Sequence, residues 1–144
     1  MRRLVGSADV EPRVGELTDI GALLRQRATD RVSVSVPAEP VLLDATVAEE
    51  LSAAAGNALD NAAAHAGPDA KAYVLLEDLG ESVTVSIRDD GVGIADGRLE
   101  EAVGEGRLGI TKSIVGRMNW LGGSAKLHTG PGCGTEWELT IPRR

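Results

Sequence analysis

Residues 46–89, TVAEELSAAAGNALDNAAAHAGPDAKAYVLLEDLGESVTVSIRD, change hydrophobic period part-way along, and that change decides the fold class. Before Gly67 the apolar positions recur at helical spacing, whereas after Ala70 they alternate as in a strand. Thr46 with Glu49 three residues later is a capping-box signature, the hydroxyl satisfying a free amide while the carboxylate reaches back. Gly67 and Pro68 stop the helix. KAYVLLED (71–78) and ESVTVSIRD (81–89) are separated only by Leu79 and Gly80, which predicts neighbouring antiparallel strands.

Outward from this block the same signals continue. TDIGALLRQRATD (18–30) places Ile20, Leu23, Leu24 and Ala28 at helical spacing, with Thr18 or Asp19 as cap. RVSVSVP (31–37) alternates strictly and predicts a half-buried strand closed by Pro37; VLL (41–43) predicts a second short one. A third helix is expected from about Gly109 to Leu121, ended by Gly122 and Gly123. SAKLHT and TEWELTIP then form a hairpin around GPGCG. Without regular strand-helix alternation, the expected architecture is an α/β (α+β) two-layer sandwich, a mixed, largely antiparallel sheet packed against about three helices. One domain is expected over 1–144, with 1–30 as an N-terminal helical or linker segment and 31–142 as core.

Composition narrows the function. The chain has 144 residues, enough for one core. Its 22 acidic against 15 basic residues give a net charge of -7, and no basic run could track a phosphate backbone, so nucleic acid is not an expected partner. Two Trp, one Tyr and no Phe leave no stacking platform for single strands. Cys133 is the single cysteine, which fits a reducing, cytoplasmic setting. No apolar run has the length of a membrane span, so this part of the chain is expected to make no direct membrane contact, although a parent protein can carry an anchor elsewhere.

On a helical wheel Glu50, Asn57, Asn61 and His65 fall within about 80° of one another, beside the apolar sector of Leu51, Ala55, Ala58, Leu59 and Ala62. Asparagine is a mediocre helix former, so a pair at i and i+4 has either a solvated face or a ligand to explain it. Amide oxygens are neutral ligands suited to Mg²⁺, which keeps waters and substrate phosphates in its shell.

The glycine-rich segments favour the ligand. In RDDGVGIADG (88–97) Asp89 stands at a strand end, while Gly91 and Gly93 let the backbone pass close to a bound group; the plain alternative is an Asp-Gly turn. A calcium loop lacks its acidic positions. GEGRLG (104–109) has the spacing G-x-G-x-x-G but does not follow a strand, which excludes a Rossmann site, and no P-loop motif exists. What remains is a glycine loop feeding a helix whose first amides can hold phosphate oxygens, with Arg107 and Lys112 as local cations.

The ordered set NALDNAAAHA, DDGVG, GEGRLGI and GGSAKLHTGPGCGTEWELTIP resembles the ATP-binding catalytic domain of bacterial sensor histidine kinases, within the GHKL superfamily that also holds gyrase and Hsp90. The resemblance covers about residues 32–142, and GRLGITKSIVGRM is similar to kinases of high-GC Gram-positive bacteria. It implies the Bergerat ATP-binding fold and the cofactors ATP and Mg²⁺. Asn61 is then the magnesium-binding amide and Asn57, one turn earlier, sits beside the metal or phosphates; these two are the catalytic positions. His65 takes the place of a basic residue approaching the phosphates, unless it merely closes the helix end. Asp89 accepts a hydrogen bond from the exocyclic amine of adenine. Gly91, Gly93 and Ile94 belong to the base-binding segment, and Gly104, Gly106, Arg107 and Gly109 to the phosphate-covering lid. Thr135 matches a threonine near the adenine pocket, or is an ordinary strand residue. Glu50 is expected to be structural or peripheral.

Many relatives, hydrolases and anti-sigma serine kinases among them, carry glutamate where Asn57 stands. A carboxylate can take a proton from water and a neutral amide cannot, so this chain is expected to hold the γ-phosphate for another nucleophile. The partners implied are ATP, a histidine-bearing dimerisation domain of the parent kinase and a downstream response regulator. An anti-sigma serine kinase-like module is the alternative. Departures from the family pattern are the absence of an aromatic lid box, Asp90 where Asn is frequent, and no acceptor histidine: only His65 and His128 exist, neither in the expected helix.

Overall fold

Val83, Val85 and Ile87 alternate with Thr84, Ser86 and Arg88, and the chain obeys that alternation by laying the first set against helices. The computed structural model describes residues 16–65, 70–91, 108–129 and 134–143. In chain order the elements are β1 (Leu17–Asp19), α1 (Ile20–Arg25), β2 (Val32–Ser35), β3 (Leu42–Asp44), α2 (Ala45–His65), β4 (Ala72–Asp78) and β5 (Ser82–Asp89). Then follow α3 (Leu108–Trp120), β6 (Ser124–Thr129) and β7 (Thr135–Pro142). Five strands form one sheet in the order β2-β4-β5-β7-β6, and β1 pairs with β3 as a separate ribbon. Only β2 and β4 run parallel; the other pairs in that sheet are antiparallel. The expected mixed, largely antiparallel sheet packed against three helices is therefore what forms.

The core lies between one sheet face and the helices. Val74, Leu76, Val83, Val85, Ile87, Leu139 and Ile141 point from the strands towards Ile20 and Leu24 of α1, Leu51, Ala54, Ala55 and Ala58 of α2, and Ile114 and Met118 of α3. Each large side chain so buried contributes about 2 kcal/mol, and the alanines let α2 lie close to the strands. Among the described residues no second helical layer covers the opposite sheet face. Tyr73 and Leu75 are exposed there, with the Arg88 guanidinium 5.4 Å from the Tyr73 ring centre.

Local chemistry sets the helix starts. Asp19 caps α1, its Oδ1 accepting from the Gly21 and Val41 amides at 3.0 Å each, which also ties the helix to the chain leading into β3. The cap of α2 is not the Thr46–Glu49 box: Asp44, at the end of β3, accepts from the Thr46 amide at 3.0 Å, and the helix has begun by Ala45. A carboxylate two residues before a free amide does the work of the hydroxyl. The stop expected at Gly67 and Pro68 lies outside the described residues. At the end of α3 the Gly123 amide donates to the Met118 carbonyl at 2.8 Å, closing the helix as expected.

Connectivity fixes the direction of the two main helices. β4 begins at Ala72, opposite Asp89 at the end of β5, so α2 runs towards that end of the sheet. β6 begins at Ser124, opposite Thr140 at the other end, so α3 runs away from it. Arg117, late in α3, accordingly reaches Glu50 in the first half of α2, Nη1 to Oε1 2.5 Å. Among the described residues no helix is long and apolar enough to cross a membrane.

Candidate functional site

Four connections between elements begin or finish at the same end of the sheet: α1 to β2, α2 to β4, β5 to α3, and β6 to β7. The central strand there is β5, and its last residue is Asp89, flanked by Ala72 on β4 and Thr135 on β7. Alternation along β5 puts the Asp89 side chain on the helix-facing side, 7% exposed. A carboxylate so placed must be satisfied locally or by a ligand. Its Oδ1 accepts from the Gly91 amide at 2.9 Å, which is the Asp-Gly turn considered from the sequence, here used to hold the carboxylate in place. The next residue turns the other way. Asp90 accepts from the Lys71 amide at 2.7 Å and donates its own amide to the Lys71 carbonyl at 3.0 Å, so it locks β5 to β4.

Gly134 shapes the same corner. Its φ is +72°, and a Cβ there would lie 2.1 Å from the Asp89 carbonyl oxygen and 3.4 Å from its Oδ1. The residue was not singled out from the sequence, although its place directly before Thr135 in GCGTEW was the available signal. Gly134→Ala combines a left-handed backbone with that clash. It is expected to lower stability by about 2 kcal/mol or more and to weaken ligand binding at Asp89, read from the urea midpoint and from calorimetry.

Above Asp89 lies the C-terminal part of α2. Leu59, Ala62, Ala63, Ala72 and Asp89 line a common cavity of about 120 Å³, which sets the carboxylate beside the last turns of α2; Asn57 and Asn61 lie on another flank of the helix and do not line it. Asn57 and Asn61 share one helix face, and the Oδ1 atoms of both are buried with no hydrogen-bond partner in the protein. An unpartnered buried amide oxygen costs roughly 1–3 kcal/mol. Four buried side-chain polar atoms are in this condition among the described residues, and two belong to this pair. The solvated-face reading is thereby disfavoured: solvated oxygens would not be shielded. Two acceptors, one turn apart and both unsatisfied, suit an oxygen-seeking cation or a donor-bearing ligand. Among the described residues no three His, Cys, Asp or Glu cluster as metal ligands, so a cation bound here would rely on the amides and on ligand oxygens. Glu50, on the same face, is consumed by Arg117.

Of the other expected residues, Thr135 stands beside Asp89 and Gly91 follows it. Gly109 lies in the first turn of α3, and Lys112 is exposed one turn later. Because α3 runs away from this end, its first turn lies at the same end of the sheet as Asp89. His65 closes α2, with its side chain outside what is described. Gly93, Ile94, Gly104, Gly106 and Arg107 also lie outside the described residues.

The family model for histidine kinase-, DNA gyrase B- and HSP90-like ATPases matches residues 46–144. Among solved structures, the chain is similar to the histidine kinase domain of the blue-light activated histidine kinase of Erythrobacter litoralis EL346, with 22% identity and a TM-score of 0.69 over 96% of this chain and 72% of that one. A longer form of the same kinase gives 27% identity and a TM-score of 0.60, over 86% of this chain but only 39% of that one. The ATP binding domain of PrrB from Mycobacterium tuberculosis gives 24% and 0.66 over 90% and 97%. No curated protein matches.

Proposed function

Since the chain belongs to the histidine kinase-, DNA gyrase B- and HSP90-like ATPase family, we propose that it binds ATP with Mg²⁺ and presents the γ-phosphate to a histidine on a separate helical dimerisation domain. The observation that carries this reading is the pair of buried, unpartnered amide oxygens of Asn57 and Asn61 on α2, in a chain that also buries a carboxylate, Asp89, at a strand end. ATPase-family membership supplies the nucleotide, and the amide pair supplies a place for its cation. Asn61 and Asn57 would hold Mg²⁺, which when bound offsets charge on the phosphate oxygens.

Asp89 selects the base. Held by the Gly91 amide, its carboxylate is an acceptor for the exocyclic amine of adenine, whereas guanine would present a carbonyl there and be repelled. Gly91, Gly93, Ile94 and Thr135 complete the surroundings of the base. The segment containing Gly104, Gly106, Arg107 and Gly109, with His65, covers the phosphates, whose negative charge the first amides of α3 complement. Asn57 has no basic oxygen with which to take a proton from water, so hydrolysis is slow and the γ-phosphate waits for the acceptor imidazole. In the transfer the imidazole nitrogen forms the new P–N bond as the bond to the β-phosphate oxygen breaks and ADP leaves. The phosphoryl group then passes to an aspartate on a response regulator. The parent kinase works at the cytoplasmic side, one domain of it spanning residues 1–144.

Calorimetry of the chain with AMP-PNP tests this. Binding that is strengthened by Mg²⁺ is expected; absence of binding would end the reading. The chain alone is expected to be nearly inert in phosphotransfer, and rapid formation of phosphohistidine on it without a partner domain would contradict the assignment of the acceptor to another domain. Asn57→Glu restores a carboxylate beside the phosphates and is expected to raise ATP hydrolysis by about 100-fold, the low end for a placed general base. A phosphate-release assay reads this directly.

A further inference from the structure

We infer that Arg27 is a positioning residue for the α2 amides: its guanidinium lies on the bare backbone of Gly56 and fixes the rotation of α2 that aims Asn57 and Asn61. The inference rests on the nucleotide reading above. It starts from an anomaly in sequence. In AAAGNALDN, Gly56 stands amid alanines in the middle of a helix, where glycine is the poorest choice after proline. Nothing about α2 itself asks for it. The reason is a neighbour: a Cβ on Gly56 would lie 2.5 Å from Arg27 Nη1 and 2.8 Å from its Cζ. The missing methyl is the space the guanidinium occupies.

Arg27 is held there from both ends. Its Nε donates to the hydroxyl of Ser52 at 3.1 Å, one turn before Gly56 on α2, and Ser52 is only 5% exposed. Its backbone amide donates to the carbonyl of Leu24 at 2.9 Å, and Leu24 is fully buried in the core. The arginine is therefore a strut from the end of α1 to the side of α2. Ser52 and Gly56 lie roughly 100–180° around the helix from Asn57 and Asn61, so the strut bears on a flank away from the amides. On the amide-bearing side α2 meets α3 through Glu50 and Arg117. Contacts on two flanks resist rotation about the axis, as one flank alone would not.

Rotation matters because the amide oxygens sit about 5 Å from the helix axis. A turn of about 20° would carry them through nearly 2 Å, roughly ten times the tolerance of a metal–oxygen distance. Core packing through alanines is smooth and permits such a turn; a planar group wedged onto a glycine does not.

The test compares AMP-PNP affinity with Mg²⁺ and with EDTA on the whole 144-residue chain, the ratio of the two being the magnesium gain, with urea midpoints measured alongside. Arg27→Ala is expected to cut the magnesium gain about tenfold, the lower end of what loss of an outer support costs a metal site, while affinity in EDTA stays within about twofold, because Asp89 is not touched. Gly56→Ala improves helix propensity, so folding is not at risk through the helix, yet it is expected to give the same fall by evicting the guanidinium. The double variant should be no worse than Gly56→Ala alone. A lower urea midpoint with an unchanged magnesium gain in both single variants would overturn the inference, as would strictly additive effects in the double. If the unaltered chain binds AMP-PNP in neither condition, the nucleotide reading itself falls and takes this with it; binding that ignores Mg²⁺ removes the amide assignment and this inference, while the nucleotide reading stands.

Discussion

Asp89→Ala is expected to lower AMP-PNP affinity by about 30-fold to 100-fold and to reduce the preference for adenine over guanine to about tenfold or less. The carboxylate is 7% exposed and oriented by the Gly91 amide, so in the proposed role it would meet the base as a fixed acceptor rather than a mobile surface charge. A hydrogen bond to such a charged group contributes roughly 1.5–3 kcal/mol, a factor of about 12 to 160 that brackets the fold-change stated. Guanine places an oxygen against that carboxylate, so in the native chain GMP-PNP should bind far more weakly. With alanine the repulsion disappears, and the two nucleotides should fall within about tenfold of each other. Paired titrations measure both quantities at once. An unchanged ratio of the two affinities would remove Asp89 from base selection, whatever happened to stability through the lost Gly91 contact.

The second large effect is of opposite sign in binding and in stability. Asn61→Ala is expected to weaken AMP-PNP binding in the presence of Mg²⁺ by about tenfold to 100-fold, and to leave binding in EDTA nearly unchanged. At the same time it removes a buried acceptor that has no partner in the protein. The ligand-free chain should gain about 1 kcal/mol, seen as a raised urea midpoint. A solvated asparagine would show neither change. A merely structural one would lower the midpoint. The combination of weaker magnesium-dependent binding with a more stable apo chain is therefore specific to a residue whose hydrogen-bonding capacity is reserved for a ligand.

How far these features could be read beforehand depends on the range of the interactions behind them. β4, β5, β6 and β7 fall within a residue of the stretches expected, because period-two alternation against a single buried face is written in the strand itself. β1 was not anticipated: Leu17, Thr18 and Asp19 carry no alternation, and they become a strand only by pairing with β3, more than twenty residues later. A longer separation, from Val32 to Ala72, hides the parallel pairing of β2 with β4 across α2. The α2 cap moved from Thr46 to Asp44 because two good capping side chains stand two residues apart, and the start of the helix is settled by where β3 ends.

The site divides in a similar way. Asn57 and Asn61 are candidates through helical spacing, and Asp89 through its place before Gly91, since both signals are local. Gly134 and Arg27 are not. Gly134 is required by the backbone of Asp89, some 45 residues earlier in the chain; Arg27 reaches Ser52 across 25 residues. Glycines at 56 and 134 are imprints of neighbours that the linear order does not reveal, and only coordinates show what each one accommodates.

The tight β4–β5 turn offers an experimental handle. Gly80 sits at φ +91° with open space around its missing Cβ, Leu79 is 60% exposed, and β5 carries the chain from this turn to Asp89. Seven steps of extended backbone separate the two ends by about 23 Å. A fluorophore or a biotin linker attached at Leu79 would thus immobilise or illuminate the protein from its far pole, leaving the pole that carries Asp89 open to solution.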